Sequence, residues 1–214
     1  MCGRYFLLVK LEKLVNEYEI KNTDIDYQPP GEIFPTQKAP VIFEDEKSKR
    51  KLARFKWGFT PPFTNNPIIN ARAETLEEKS LFKASFKEKR CLIPANLFYE
   101  WKDTAANKVK YEIGLKNRDI MSLAGLYDTF EAKNGSEINC FTIVTTTPST
   151  SISNIHSRMP VILTEKGEKK WIDTANNDQE MLKNMLRPYS DDKIKIKKAN
   201  KNQQMQLHLP FKKK

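Results

Sequence analysis

Seven short runs rich in β-branched and aromatic residues punctuate the chain: Ala39–Phe43, Ala53–Phe59, Cys91–Trp101, Lys110–Leu115, Ile120–Phe130, Cys140–Thr147 and Pro160–Leu163. That many strands in 214 residues are expected to curl into a barrel or a pair of packed sheets, since each run has an apolar face to bury. Apolar residues at helical spacing are fewer. Leu11, Leu14, Val15 and Tyr18 predict a helix over residues 10–20, and Leu76, Phe82 and Phe86 predict another over 74–88. A third is expected over Gln179–Leu186, stopped by Pro188. The fold class is therefore α+β, a strand-rich, barrel-like domain with peripheral helices. With 39% apolar residues one core suffices, and we expect a single domain over 1–200 followed by a basic tail, 201–214.

With seven glycines and neither a GxGxxG nor a GxxxxGK pattern, the chain has no phosphate-cradling loop, which argues against nucleotide hydrolysis. An excess of 37 Lys and Arg over 27 Asp and Glu favours a polyanionic partner through counterion release. Part of that excess lies in the last stretch, where Lys193, Lys195, Lys197, Lys198 and Lys201 precede Lys212–Lys214; a solvated tail is its simplest use. The opening MCGRYFLLVK has too short an apolar run for a secretory signal, and no later segment is long and apolar enough to span a bilayer. We expect a cytoplasmic monomer.

Three cysteines, Cys2, Cys91 and Cys140, are odd in number and far apart, and the two histidines, His156 and His208, form no zinc pattern with them. No metal and no cofactor are expected, and the thiols are expected to be free. Cys2 is chemically distinctive. A small residue after the initiator permits removal of Met1, leaving an α-amine of pKa roughly 7.7–8.0 beside a thiol. An amine attacks an aldehyde, and a neighbouring thiol then closes a thiazolidine ring. A nearby cation such as Arg4 is expected to lower the thiol pKa.

The segments MCGRY, WGF with Pro61 after it, NARAET (70–75), RCLIPANLFYEW (90–101), the strand containing GLYD, FTIVTT (141–146) and HSRMPVIL (156–163) occur in an order that resembles the SRAP family, the SOS-response-associated peptidases. The resemblance runs to about Trp171. It implies a mature N-terminal Cys2 that links covalently to the ring-opened aldehyde of an abasic site in single-stranded DNA, self-removal of Met1, and lyase and crosslink-reversal activities. It also implies Asn70, Glu100 and His156 as the active-site partners of Cys2. On the residues alone, Glu100 could alternate outward to solvent, His156 could cap a turn before Met159 and Pro160, and Asn70 could be a turn residue bonded to its own backbone. With the resemblance, Glu100 takes the amine's proton, His156 shuttles one at the sugar oxygen, and Asn70 holds the attack geometry.

Single strands are held by phosphate-tracking cations and by stacking worth roughly 1–3 kcal/mol per base. Arg4, Arg72 and Arg158 lie within the matched motifs and are the expected phosphate contacts, with Thr145 adding a hydroxyl. Trp57 and Pro35 are the expected apolar wedge, although Trp57 could equally be core, and Trp101 the support behind the site. In the tail, Gln206, Leu207, Leu209 and Phe211 resemble the peptide by which bacterial repair proteins dock on the replication sliding clamp; Pro210 interrupts the pattern. Two other functions fit the same residues: a non-covalent single-stranded DNA binding module, and a peptidase in which Cys2 is the nucleophile and its own amine the base.

Overall fold

The computed structural model describes residues 2–199 except 22, 24, 106 and 133. The tail residues Gln206, Leu207, Leu209 and Phe211 lie outside the described residues. In chain order the elements are β1 (Tyr5–Leu7), α1 (Leu11–Glu17), β2 (Gly31–Ile33), β3 (Lys38–Glu44), β4 (Arg50–Trp57) and β5 (Asn70–Arg72). A 3-10 turn at Ala73–Thr75 leads to α2 (Ser80–Glu88), β6 (Arg90–Ala95), β7 (Leu97–Asp103), β8 (Lys108–Leu115), β9 (Met121–Glu131) and β10 (Glu137–Thr146). Then come α3 (Thr150–Ser153), β11 (Met159–Pro160), β12 (Ile162–Leu163), α4 (Glu165–Ile172), α5 (Gln179–Asn184) and β13 (Ile194–Lys198).

Five of these strands close a barrel. β10 runs parallel to β4 (Phe141 opposite Trp57), β4 pairs with β3, β3 with β6 and β6 with β9, all antiparallel, and β9 returns to β10. Closure leaves no unpaired edge around this ring, so its inward residues form a dry core: Phe141, Ile143, Val41, Ile93 and Leu123 share one face in the register and are all buried. Gly125 pairs with both Cys91 and Ile143. A Cβ there would stand 2.2 Å from Ile93 Cδ1 and 3.2 Å from the Thr142 carbonyl oxygen, so the low-glycine chain spends one glycine where two neighbouring strands crowd together.

The other sheet has the order β13-β8-β7-β1-β2. Its inner face carries Tyr5, Leu7, Ile33, Phe98, Ile113 and Ile194, all buried, as period-two alternation requires. The run Cys91–Trp101, read from the sequence as one strand, is two. Chain direction changes at Asn96, whose side-chain oxygen accepts from Leu8 N at 2.7 Å and whose Nδ2 donates to Asp119 O at 2.7 Å. That residue passes the chain from barrel to second sheet.

Two departures from strand pairing prepare the site. β4 ends at Trp57, and β5 takes its place beside β10, with Asn70 opposite Ile143 and Arg72 opposite Thr145. β11 then pairs with the last residues of β10, Thr145 and Thr146. Three segments meet at one end of the barrel.

Candidate active site

Cys2 lies just before β1, where it is fully buried. Its carbonyl oxygen accepts from Asn70 Nδ2 at 3.1 Å, and the same Nδ2 donates to Ile69 O at 2.6 Å. With both bonds made by the amide nitrogen, Oδ1 is turned the other way; it is buried without a partner among the described residues. It is thus an acceptor held ready beside the N-terminal segment. The residue does bond to neighbouring backbone, as a turn residue would, but from a strand and across to Cys2.

Glu100 comes from β7, antiparallel to β1, where Tyr99 N donates to Arg4 O at 2.9 Å. Its side chain faces inward beside Phe98, and the residue is only 2% exposed. Burial in this apolar setting pushes its carboxyl up to about 7, since the charged form loses hydration. His156, in the loop between α3 and β11, places Nε2 at 3.9 Å from Glu100 Oε2. Its Nδ1 lies 3.0 Å from Arg158 N and 3.2 Å from Arg158 O, so the Arg158 backbone holds the ring in either tautomer with Nε2 on the side of Glu100. Burial lowers the His156 pKa, favouring the neutral imidazole at pH 7. The ring therefore caps the local turn and faces the carboxylate at once.

The pH sign of Glu100 follows from burial. Its folded pKa of about 7 lies above the ordinary 4.5, so between those values the folded state holds more protons than the unfolded one. Stability then falls as pH rises through this window. Glu100→Gln is expected to be more stable than the parent well above pH 7, by on the order of 3 kcal/mol, with the difference vanishing near pH 4. Denaturant midpoints of both proteins across that range check this; a gap that widens toward acid would contradict it.

The Cys2 thiol corrects one expectation. Its pKa is raised, first by burial and then by Glu100, and the Arg4 guanidinium does not offset this. The Arg4 guanidinium is directed elsewhere: Nη1 is 3.3 Å from Glu32 Oε1, and Cζ lies 4.2 Å from the Phe34 ring centroid and 5.2 Å from that of Trp101. What reaches the thiol from Arg4 is its backbone oxygen, 3.9 Å from Sγ. Lys110 Nζ approaches the same Glu32 oxygen at 2.8 Å and the Tyr99 ring at 3.6 Å. Two cations share the Glu32 carboxylate among three aromatic rings, and Glu112 stands opposite Tyr99 on β8. Phe34 has no part in the sequence-based site; its neighbour Pro35, half-buried, does.

Two expected DNA contacts do not face solvent. Trp57 is fully buried, donates Nε1 to Ile69 O at 3.0 Å and stacks on Phe141 with ring centroids 6.2 Å apart. It is a barrel-core residue that buttresses the strand carrying Asn70, and it cannot enter a base stack without unpacking the core. Thr145 is also fully buried, with Oγ1 3.4 Å from Ala71 O. Pairing with β5 covers it. Arg72, opposite it on β5, is exposed. Arg158 makes a bidentate pair with Glu74, at 2.7 and 2.9 Å, and donates to Thr145 O at 2.7 Å. It thereby pins the His156 loop to the turn after β5.

A family model described as SOS response associated peptidase (SRAP) matches residues 1–203. The abasic site processing protein YoqW of Bacillus subtilis is 36% identical over 200 residues, covering 90% of this chain and 89% of that one. The abasic site processing protein HMCES of Xenopus tropicalis is 33% identical over 182 residues, 69% of this chain and 54% of that one. Among solved structures, a protein from Bacteroides thetaiotaomicron superposes with a TM-score of 0.83 at 26% identity, over 94% of this chain and 93% of that one.

Proposed function

The chain belongs to the SRAP family, and from that premise we propose that it processes abasic sites in single-stranded DNA by crosslinking to them through the mature N-terminal Cys2. The observation that carries this function is the meeting of Cys2, Asn70, Glu100 and His156 at one barrel end, with Asn70 bonded to the Cys2 backbone and Glu100 buried and raised to about 7. While Met1 remains, the Cys2 nitrogen is an amide and cannot act. Once Met1 is cleaved, with Glu100 as the proton acceptor for that cleavage, the α-amine attacks C1′ of the ring-opened sugar. Loss of one water gives an imine. The thiol then adds across the C=N bond, its proton passing to the nitrogen, so that C1′ holds both nitrogen and sulfur in a thiazolidine.

Each neighbour has a place in that sequence. Glu100 as carboxylate takes the ammonium proton, and a pKa near 7 lets it accept and return protons at neutral pH. His156 Nε2–H donates to the sugar oxygen as the ring opens or the hydroxyl leaves. Asn70 Oδ1 accepts from the amine N–H and fixes its direction. Arg72, Arg4 and Arg158 hold the flanking phosphates, Arg158 exchanging Glu74 for phosphate when DNA binds, and Pro35 with Phe34 supplies the apolar edge against unstacked bases.

The aldehyde makes this testable. A single-stranded oligonucleotide with one abasic site is expected to give a band that survives denaturing electrophoresis, and the same strand with a tetrahydrofuran analogue, which cannot open, none. Equal bands on both strands, or on an undamaged one, would rule out attack on the aldehyde.

A further inference from the structure

On the second sheet, alternation along β7 puts Leu97, Tyr99 and Trp101 on the outer face, opposite to Phe98 and Glu100, with Tyr99 itself only 6% exposed beneath Lys110. Register places Lys110 beside Trp101, Glu112 beside Tyr99, and Lys197 beside Glu112. On the other flank, Arg4, Phe6 and Leu8 follow the same alternation along β1. An apolar stripe bordered by cations thus runs from the Arg4 cluster, at the Cys2 end, to the opposite end of the sheet. There it opens into a groove of about 620 Å³ between β7, β8, β13 and the start of α1, lined by Leu8, Leu97, Lys10, Lys195 and Lys197 among others.

The charge in this groove is unequal. Lys13 pairs with Asp119 at 2.8 Å and Arg118 with Glu17 and Glu168, and Glu112 adds one negative charge to the lining. Lys10, Lys195 and Lys197 are exposed and make no salt bridge among the described residues. Lysines on β13 could serve only to blunt an edge strand, but Lys10 belongs to a different element and converges on the same hollow. Leu8, 54% exposed, stands in the groove as a rare uncovered apolar side chain. Cations around apolar surface, continuous with a site that takes a DNA strand, is the pattern of single-strand tracking.

We infer that the outer face of the second sheet, ending in the groove formed by Leu8, Lys10, Lys195 and Lys197, is a track for one single-stranded flank of the damaged DNA. The inference rests on the function proposed above for its direction of approach. Trp101 and Leu97 are four residues apart, about 13 Å along the strand, or roughly four stacked nucleotides at about 3.4 Å each. The groove therefore engages phosphates beyond about the fourth nucleotide from the lesion. Neutralising two lysines removes two phosphate contacts, each contributing about 0.7 to the logarithmic salt slope of a single strand.

The test uses the full chain and Lys195→Gln/Lys197→Gln, both exposed positions, with abasic and undamaged strands whose flanks are about three or about eight nucleotides long. Anisotropy reads equilibrium binding of the undamaged strands and a denaturing gel reads crosslinking. The parent is expected to bind a long flank more tightly. The double variant is expected to lose about tenfold on long strands near 0.15 M salt, with the salt slope shallower by about 1.4, and to match the parent on short ones. Equal binding of long strands by parent and variant overturns the track. So does displacement of the strand by polyglutamate as effective as by oligothymidylate of equal charge, which would assign the groove to an acidic protein. Length- and lysine-dependent binding without any crosslink keeps the track and removes the covalent function instead.

Discussion

Replacing Cys2 by Ala is expected to eliminate the denaturation-resistant DNA adduct while leaving an imine that borohydride can trap. Alanine at position 2 is small enough to keep Met1 removal, so the α-amine remains and can still condense with the aldehyde. What disappears is the second bond to C1′. An imine in water hydrolyses; a thiazolidine must first expel its thiolate to become one. Losing that ring costs more than about 3 kcal/mol of adduct stability, so the surviving adduct falls on the order of a hundredfold or more. Cys2→Ser should resemble Ala, because the hydroxyl is a far weaker nucleophile at neutral pH. A Cys2→Ala adduct as abundant and durable as that of the parent would place the linkage on another residue. Since burial raises the thiol pKa, the thiol adds in the protonated form and hands its proton to the imine nitrogen, so the base the proposed sequence calls on is Glu100, which frees the attacking amine of its proton. The crosslinking rate is accordingly expected to rise with pH through about 7 as Glu100 ionises, and to lose that inflection in Glu100→Gln.

The barrel was legible where strands are long and periodic, and the site was legible only through its motifs. Leu11, Leu14 and Val15 mark α1, and the runs around Val41, Ile113 and Ile143 became β3, β8 and β10. The break at Asn96 was hidden because both halves of Cys91–Trp101 are rich in apolar residues, so no change of polarity marks the turn. By composition β13 resembles part of a solvated basic stretch, yet IKIKK alternates with period two, and Ile194 is buried. α4 went unread although Thr164 caps it by accepting from Gly167 N and Trp171 anchors it. Trp57 and Thr145 share a different cause: whether a strand residue faces core or solvent depends on β4 and β5 meeting β10 from far along the chain, Trp57 opposite Phe141 and Asn70 opposite Ile143, and local spacing carries no trace of that. Glu100 is the converse case. An isolated strand carboxylate is ordinarily outward, and what turns this one inward is its position between Phe98, packed in the core, and the N-terminal segment on β1.

Arg90 opens the motif RCLIPANLFYEW, as Arg4, Arg72 and Arg158 stand in theirs, yet the structure gives it a different task. It is 3% exposed, and its guanidinium donates to the backbone oxygens of Phe86, Lys87, Trp171, Asp173 and Asn176. Phe86 and Lys87 lie in the last turn of α2, and Trp171 in that of α4. Two helix C-termini, each with carbonyls lacking partners within the helix and a partial negative charge, thus converge on one fork of donors. The charge is held by dipoles and not by a buried carboxylate bond. Removing it would leave five carbonyls competing for too few donors, so Arg90→Met is expected to destabilise the protein by about 3–5 kcal/mol. For a domain of this size that lowers Tm by roughly 10 °C. Arg90→Lys should recover only part of the loss, because a single ammonium cannot span carbonyls arranged for a planar fork. Denaturant midpoints for the three proteins decide the matter, and a cost below about 1 kcal/mol for Met would mean that water substitutes for the guanidinium. Because Arg90 is remote in role from Cys2, the folded fraction of Arg90→Met is expected to crosslink abasic DNA at the parent rate below its melting range. Arginines in matched motifs therefore divide into three proposed to meet phosphate and one that ties helices to the barrel, and burial marks off the last: of the four, Arg90 alone is buried.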